Sequence, residues 1–392
     1  MIGSRPIGRV LAVLGRGARD LVTPPAGSVP GLDLLRTLAI GLVLSGHFYG
    51  EFAAGLGHDL AIGRLPVFLF SWTGVDLFFV LSGYLIGRQL WRELAARGTI
   101  DVPRFLLRRG LRIWPFYFAF VAWLIAMTGK PPASFIPDML FISNYVRGNV
   151  SGGWSLSIEE QFYLCAPLLL VALYKSGVTI RRQFAAVAVL LAVAPVIRWL
   201  TLYLHGGPVG AEAFRKIVQF PFHTHADGLL AGVLIAWLSV CAPAALAVRP
   251  WRRNLLLPGA LIAAGAVLHG LDRRLLGFSA LALIFSAAVI FALRDRSTFS
   301  RLAGLRGFYV LSRLSYGMYL NHFGIVLSMV PSFVALRVAV GVYPAFFLGL
   351  ALTGVASVVV SACTFVLVES PFLQLREKWL SGRAATPAAA PV

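Results

Sequence analysis

The feature that most constrains this chain is a recurrence of apolar runs, each about twenty residues long, separated by short basic stretches. A run of that length crosses the hydrocarbon of a bilayer as a helix, because a helix satisfies its own backbone hydrogen bonds there. Such runs fall at roughly 34–54, 70–90, 107–128, 155–174, 183–204, 224–240, 254–270, 275–293, 314–333 and 344–367. Of the 392 residues, 58% are hydrophobic and 13% charged, the latter about half the share usual in a soluble domain. Little sequence lies between the runs, so no large soluble domain fits. The expected fold is all-α, a polytopic transmembrane helical bundle of about ten spans without an internal repeat.

The net charge of +19 would suggest nucleic acid in a soluble protein. Here the positive charge sits in loops beside membrane runs, where it sets topology, so no nucleic-acid partner is expected. Placing both termini in the cytoplasm puts most of the 35 basic residues on that side. They fall in 1–30, 88–112, 175–182, 249–253, 294–313 and the C-terminus. Arg64, Arg147, Arg215 and Lys216 remain outside, and the pair Arg273–Arg274 is a local violation. The division expected is a basic cytoplasmic segment 1–30, a membrane domain 31–372 and a disordered cytoplasmic tail 373–392. The first run follows no secretory-signal pattern. Cys165, Cys241 and Cys363 are odd in number, lie in apolar stretches and lack metal-type spacing, so neither disulfides nor zinc are expected.

Several polar residues interrupt the runs. Arg36 and His47 are eleven apart, about three full helical turns in phase and about 16 Å in rise, so they share one helix face. Arg36 falls at the cytoplasmic rim and His47 in the outer half, where an imidazole needs a bundle interior or a wet cavity. It serves either a function or a hydrogen bond to a neighbouring helix. Arg109 and Arg112, in RFLLRRGLRIWP, point the same way and suit phosphate, although topology alone also explains a basic loop. In WSLSIEEQFY, Ser157 and Glu160 have capping-box spacing and Trp154 suits an interface anchor. Glu159 and Glu160 open this helix from outside, at about the depth expected for His47. A carboxylate there orients an imidazole or balances its charge. Asn321 and His322 lie inside the ninth run and serve either the site or helix–helix hydrogen bonding. His223, His225 and Asp227 are weak evidence for a metal, and none is expected. Glu369 ends the last run, positioned to pair with Arg36 or Arg112 or to sit in the interface.

In chain order these pieces are LDLLRTLAI with Arg36-x10-His47, GVDLFFVLSGYLI, the Arg109–Arg112 pair before IWP, WSLSIEEQFY, HADGLLAG, LSYGMYLNH and VESPF. As an ordered set the chain resembles the acyltransferase-3 family of integral membrane acyltransferases, which includes enzymes that O-acetylate bacterial surface polysaccharides. The resemblance implies an acyl-CoA donor taken from the cytoplasm. It implies that His47 is catalytic, that Arg36, Arg109 and Arg112 serve the donor, and that Glu159 is functional. Two positions depart from the pattern. His225 stands where an Arg often precedes Ala-Asp-Gly, and Asn321 where a Trp often precedes the late His, which bears on acceptor recognition. Many members carry an appended SGNH-type esterase domain, and none is expected here.

The mechanism expected is O-acylation in the cytoplasmic (inner) membrane. Coenzyme A phosphates bind the arginines, and the pantetheine arm runs along the face from Arg36 to His47. His47 then acts as a general base for direct transfer, the preferred route, or as an acyl carrier. Glu159 orients His47, with Ser82, Tyr84, Glu160, Tyr319, Asn321 and His322 as polar lining. The acyl group expected is acetyl, from acetyl-CoA. The acceptor is a hydroxyl of a cell-envelope glycan or lipid-linked sugar, or alternatively a small molecule such as a macrolide. A proton-coupled transporter is the reading from a different class, disfavoured by the missing inverted repeat. A non-catalytic scaffold would bind no coenzyme A.

Overall fold

A computed structural model describes residues 4–247, 251–294, 301 and 303–382. Among them all regular structure is helical, as the apolar runs require. The chain opens with α1 (Ser4–Val22) and α2 (Pro30–Leu56), followed by α3 (Gly74–Arg97), α4 (Val102–Thr128), α5 (Gly153–Lys175) and α6 (Ile180–Leu204). Next come α7 (Asp227–Cys241), α8 (Trp251–Leu271), α9 (Arg273–Arg294), α10 (Arg306–Val340), α11 (Val342–Thr364) and α12 (Ser370–Gly382). Each of the ten apolar runs falls on one of the helices α2 to α11. Among the described residues, seven helical stretches are long and apolar enough to cross a membrane: α2, α4, α5, α6, α9, α10, and α11 continued to Trp379. The others are α3, which carries Asp76, Arg88, Arg92 and Glu93, and the shorter α7 and α8.

Two pairings position the site. The most extensive is α3 against α7. Both carry glycines four residues apart at the contact, Gly83 and Gly87 on α3 and Gly228 and Gly232 on α7. A Cβ at Gly83 would collide with the Leu229 carbonyl, and one at Gly232 with the Val80 carbonyl. Small residues at this spacing let two backbones touch, which replaces the hydrophobic drive that lipid removes. The second pairing is α2 against α10, which is also backed by α11. Phe48, Phe52 and Phe346 pack together in one buried cluster there.

Residues between the apolar runs also fold back onto the bundle. The segment between α4 and α5 tucks in Asp138, fully buried, which accepts from the Asn149 and Val150 amides at 2.6 and 3.3 Å. The tail expected to be disordered from 373 is instead helical as far as Gly382, and 383–392 lie outside the described residues. The reason is a partner. The Gln374 side chain accepts from Arg16 Nε at 2.9 Å and donates to the Val13 carbonyl at 3.0 Å, clipping α12 to α1. Tyr309 on α10 donates to the Asp20 carbonyl from below.

Candidate active site

A cavity of about 420 Å³ opens among α2, α3, α4, α5 and α10. Along α3 it reaches from Arg88 to Val75, thirteen residues and so about 20 Å of helix. Its basic end holds Arg36, Arg88, Arg109, Arg112 and Arg313. Five guanidinium groups around one cavity repel each other, and carboxylates Asp33, Glu159 and Glu369 share its lining. Yet among the described residues none of these five arginines makes an ion pair. Arg109 donates to Gln89 Oε1 at 2.7 Å and lies over the Phe105 ring, while Arg313 lies over Phe365. These neighbours of the two arginines are uncharged.

Glu159 lies further in. Its carboxylate accepts from Ser82 Oγ at 2.7 Å and from the Tyr163 hydroxyl at 2.9 Å. The cavity's far end is closed by Phe78, Ser155 and Tyr319. There the Ser155 and Tyr319 hydroxyls are 2.5 Å apart, and Tyr319 also reaches the Gly152 carbonyl at 3.2 Å.

His47 does not line the cavity. On α2 the lining stops at Arg36, because Ile40 and Val43, the next residues on that face, are buried in the core. The expected route along the Arg36–His47 face is therefore filled by side chains, and the open path runs along α3, α5 and α10. His47 sits beyond the closed end, at the surface of the bundle, with its ring partly covered by His322 and Phe323. Its Nδ1 is 3.0 Å from the Val43 carbonyl and 3.1 Å from Nε2 of His322. The His322 Nδ1 is 2.8 Å from the Tyr319 carbonyl and 3.1 Å from the Met318 carbonyl. Tyr319 thus faces the cavity with its side chain and the histidine pair with its backbone, the Tyr319 and His322 rings being 5.9 Å apart.

Of the residues singled out from sequence, Arg36, Arg109, Arg112, Glu159, Ser82 and Tyr319 meet in the cavity. Glu159, expected to orient His47, is not its partner. It lies six residues past the start of α5, about 9 Å inward, and its oxygens are taken by Ser82 and Tyr163. The histidine partner is His322, on the neighbouring helix. Three other residues expected as lining point elsewhere. Tyr84 is buried on α3 beside α7, and Glu160 accepts from Trp114 Nε1 at 3.0 Å. Asn321 donates to Ser361 on α11 at 2.8 Å, a helix–helix bond. Arg88, Arg313, Ser155 and Tyr163 join the site without having been singled out for it. On α10 a periodic signal existed, since Tyr309, Ser312, Arg313, Tyr316 and Tyr319 recur at three- and four-residue spacing.

The histidines and aspartate weighed as metal ligands are each taken by protein groups. His225 Nε2 lies 2.9 Å from Asp76, Asp227 pairs with Arg198 at 2.8 Å, and His223 meets the Tyr145 hydroxyl at 3.1 Å.

The model of a family described as an acyltransferase domain matches residues 29–366. The O-acetyltransferase OatA of Staphylococcus aureus strain NCTC 8325 is 26% identical over 349 residues, which is 80% of this chain and 53% of that protein. A Staphylococcus aureus strain COL protein, provisionally named an O-acetyltransferase, is 27% identical over 231 residues, 54% of this chain and 35% of that one. The match therefore spans about half, or a third, of these longer relatives. No solved structure matches the chain.

Proposed function

The chain belongs to this acyltransferase family, and we propose that it moves an acetyl group from cytoplasmic acetyl-CoA to a hydroxyl of a cell-envelope glycan or lipid-linked sugar. The observation that carries the reading is the cavity with five arginines and, among the described residues, no ion pair to any of them. A membrane bundle that lines one cavity with five arginines against three carboxylates is built for a polyanion, and coenzyme A presents phosphates behind a long uncharged arm. In this proposal the basic end faces the cytoplasm, the chain crosses the inner membrane ten times and both termini stay inside.

The phosphates sit on the arginine forks, and the pantetheine arm follows α3 and α10 to the end closed by Ser155 and Tyr319. The acceptor approaches His47 from the opposite side, at the surface of the bundle. His47 takes the proton of the acceptor hydroxyl as its oxygen attacks the thioester carbonyl carbon. The carbon–sulfur bond breaks, and the thiolate leaves with coenzyme A and is protonated. The Tyr319 and Ser155 hydroxyls stand where the oxyanion develops. The relatives' shared name, O-acetyltransferase, supports acetyl as the group and oxygen as its destination.

The test is transfer of labelled acetyl from acetyl-CoA by purified protein, scored on extracted envelope glycans. His47→Ala is expected to abolish transfer while coenzyme A binding persists. Full activity in that variant overturns the assignment of the base.

A further inference from the structure

We propose that His322 is the positioning residue for His47, holding that ring as the Nδ1–H tautomer and leaving its Nε2 bare to take the acceptor's proton. The inference rests on the reading of His47 as the base.

The proton positions follow from what each partner can accept. Carbonyl oxygens only accept, so the His322 Nδ1 facing the Tyr319 and Met318 carbonyls carries a hydrogen. A neutral imidazole has one N–H, so the His322 Nε2 is then an acceptor. The ring is neutral because it is 2% exposed and, among the described residues, has no carboxylate paired to it. Burying an unpaired cation in the bundle is costly. Across 3.1 Å the His47 Nδ1 must therefore donate, since two lone pairs would repel at that distance. The same hydrogen reaches the Val43 carbonyl at 3.0 Å. Both contacts demand the same tautomer, and Nε2 of the His47 ring is left as the basic nitrogen.

This is the job a carboxylate performs in hydrolase triads, where it holds the base's ring in the right tautomer. A second imidazole does it without placing a buried charge at this depth. It also ties the base to the donor. The Tyr319 carbonyl fixes the His322 ring, and the Tyr319 side chain closes the donor cavity.

The experiment uses full-length protein in detergent with ring-¹⁵N histidine, His47 being assigned among the seven histidines by its loss in His47→Gln. In the unsubstituted protein the His47 Nε2 is expected to resonate as an unprotonated nitrogen at neutral pH. His322→Ala leaves the Val43 carbonyl as the remaining acceptor for Nδ1–H, so it is expected to raise the share of the Nε2–H tautomer and to lower kcat about 10- to 100-fold, no more than the smallest contribution of a general base, with KM for acetyl-CoA unchanged. His322→Gln, whose side-chain oxygen stands in for the acceptor nitrogen, is expected to recover most of both. A proton on Nε2 of His47, unchanged kcat in His322→Ala, or His322→Gln no better than His322→Leu at equal thermal stability overturns the inference. Full activity in His47→Ala instead overturns the reading of the base, while the tautomer measurement stands apart from turnover. If His322→Ala does not fold, the ring signal of the unsubstituted protein and the Gln variant decide.

Discussion

Arg112→Ala tests the cavity proposed for the donor. The substitution removes one of five lining guanidinium groups, and among the described residues no ion pair to a carboxylate is lost with it. The cost therefore falls on the ligand rather than on the fold. A hydrogen bond to a charged partner is worth about 1.5–3 kcal/mol, so KM for acetyl-CoA should rise about 10- to 150-fold. Arg112→Lys should fall between, since it keeps the charge and loses the fork. Acetyl-pantetheine supplies the control, having the same thioester and no phosphate. Its kcat/KM should hardly change in Arg112→Ala, so the preference for acetyl-CoA over acetyl-pantetheine should shrink by the same factor. Added salt should erode that preference in the unsubstituted protein. Equal losses on both donors would place Arg112 at the thioester or in the fold, and an unchanged KM for acetyl-CoA would remove coenzyme A phosphates from this cavity.

Four further outcomes are expected. Gly83→Ala places a methyl against the Leu229 carbonyl and should destabilise the bundle by about 2 kcal/mol, read as a lower Tm in detergent. Asn321→Leu loses a bond to Ser361 and should cost about 1 kcal/mol of stability, with kcat and KM of the folded protein unchanged. Tyr319→Phe removes the hydroxyl at the cavity's end and should lower kcat about 100- to 1000-fold without changing the affinity for coenzyme A. Burial raises the Asp138 carboxyl above its ordinary value, against the amides of Asn149 and Val150 that favour the charged form. A raised carboxyl binds its proton more tightly folded than unfolded, so its contribution to stability is present below the unfolded value and is lost as pH rises through the folded one. A pH series of Tm should show that decline in the unsubstituted protein and not in Asp138→Asn.

The all-helical fold was legible because membrane helices announce themselves by length and apolarity, and each run fell on a helix. The arginines were legible because charge in a bundle is costly and seldom placed without a use. What the linear pattern hid was depth and partnership. Glu159 and His47 both count as outer-half residues by position, yet Glu159 turns into the arginine cavity. His322 was weighed for both a site role and a helix–helix bond, and which histidine lies within hydrogen-bond reach depends on how α10 crosses α2. Asn321, its neighbour in sequence, points about 100° away around the helix and spends its amide on α11. Arg88 hid among basic residues that topology already explained, whereas Arg313 belonged to a stripe on α10 that spacing alone could have shown.

The separation of His47 from the cavity bears on the choice between direct transfer and an acyl-histidine. Ile40 and Val43 fill the α2 face between Arg36 and His47, and Tyr319 and Ser155 close the far end of the cavity. A nucleophilic His47 would have to reach past this layer to the thioester with its own Nε2. A base need only meet the acceptor hydroxyl on its exposed side, while the acceptor oxygen covers the remaining distance. The layer is thin, a single helical turn of α10 that carries both Tyr319 and His322. Direct transfer therefore asks for the smaller rearrangement. It predicts that acetyl-CoA supplied without acceptor leaves no acetyl on the protein in a rapid-quench mass measurement, whereas a stoichiometric acetyl adduct on His47 would establish the two-step route.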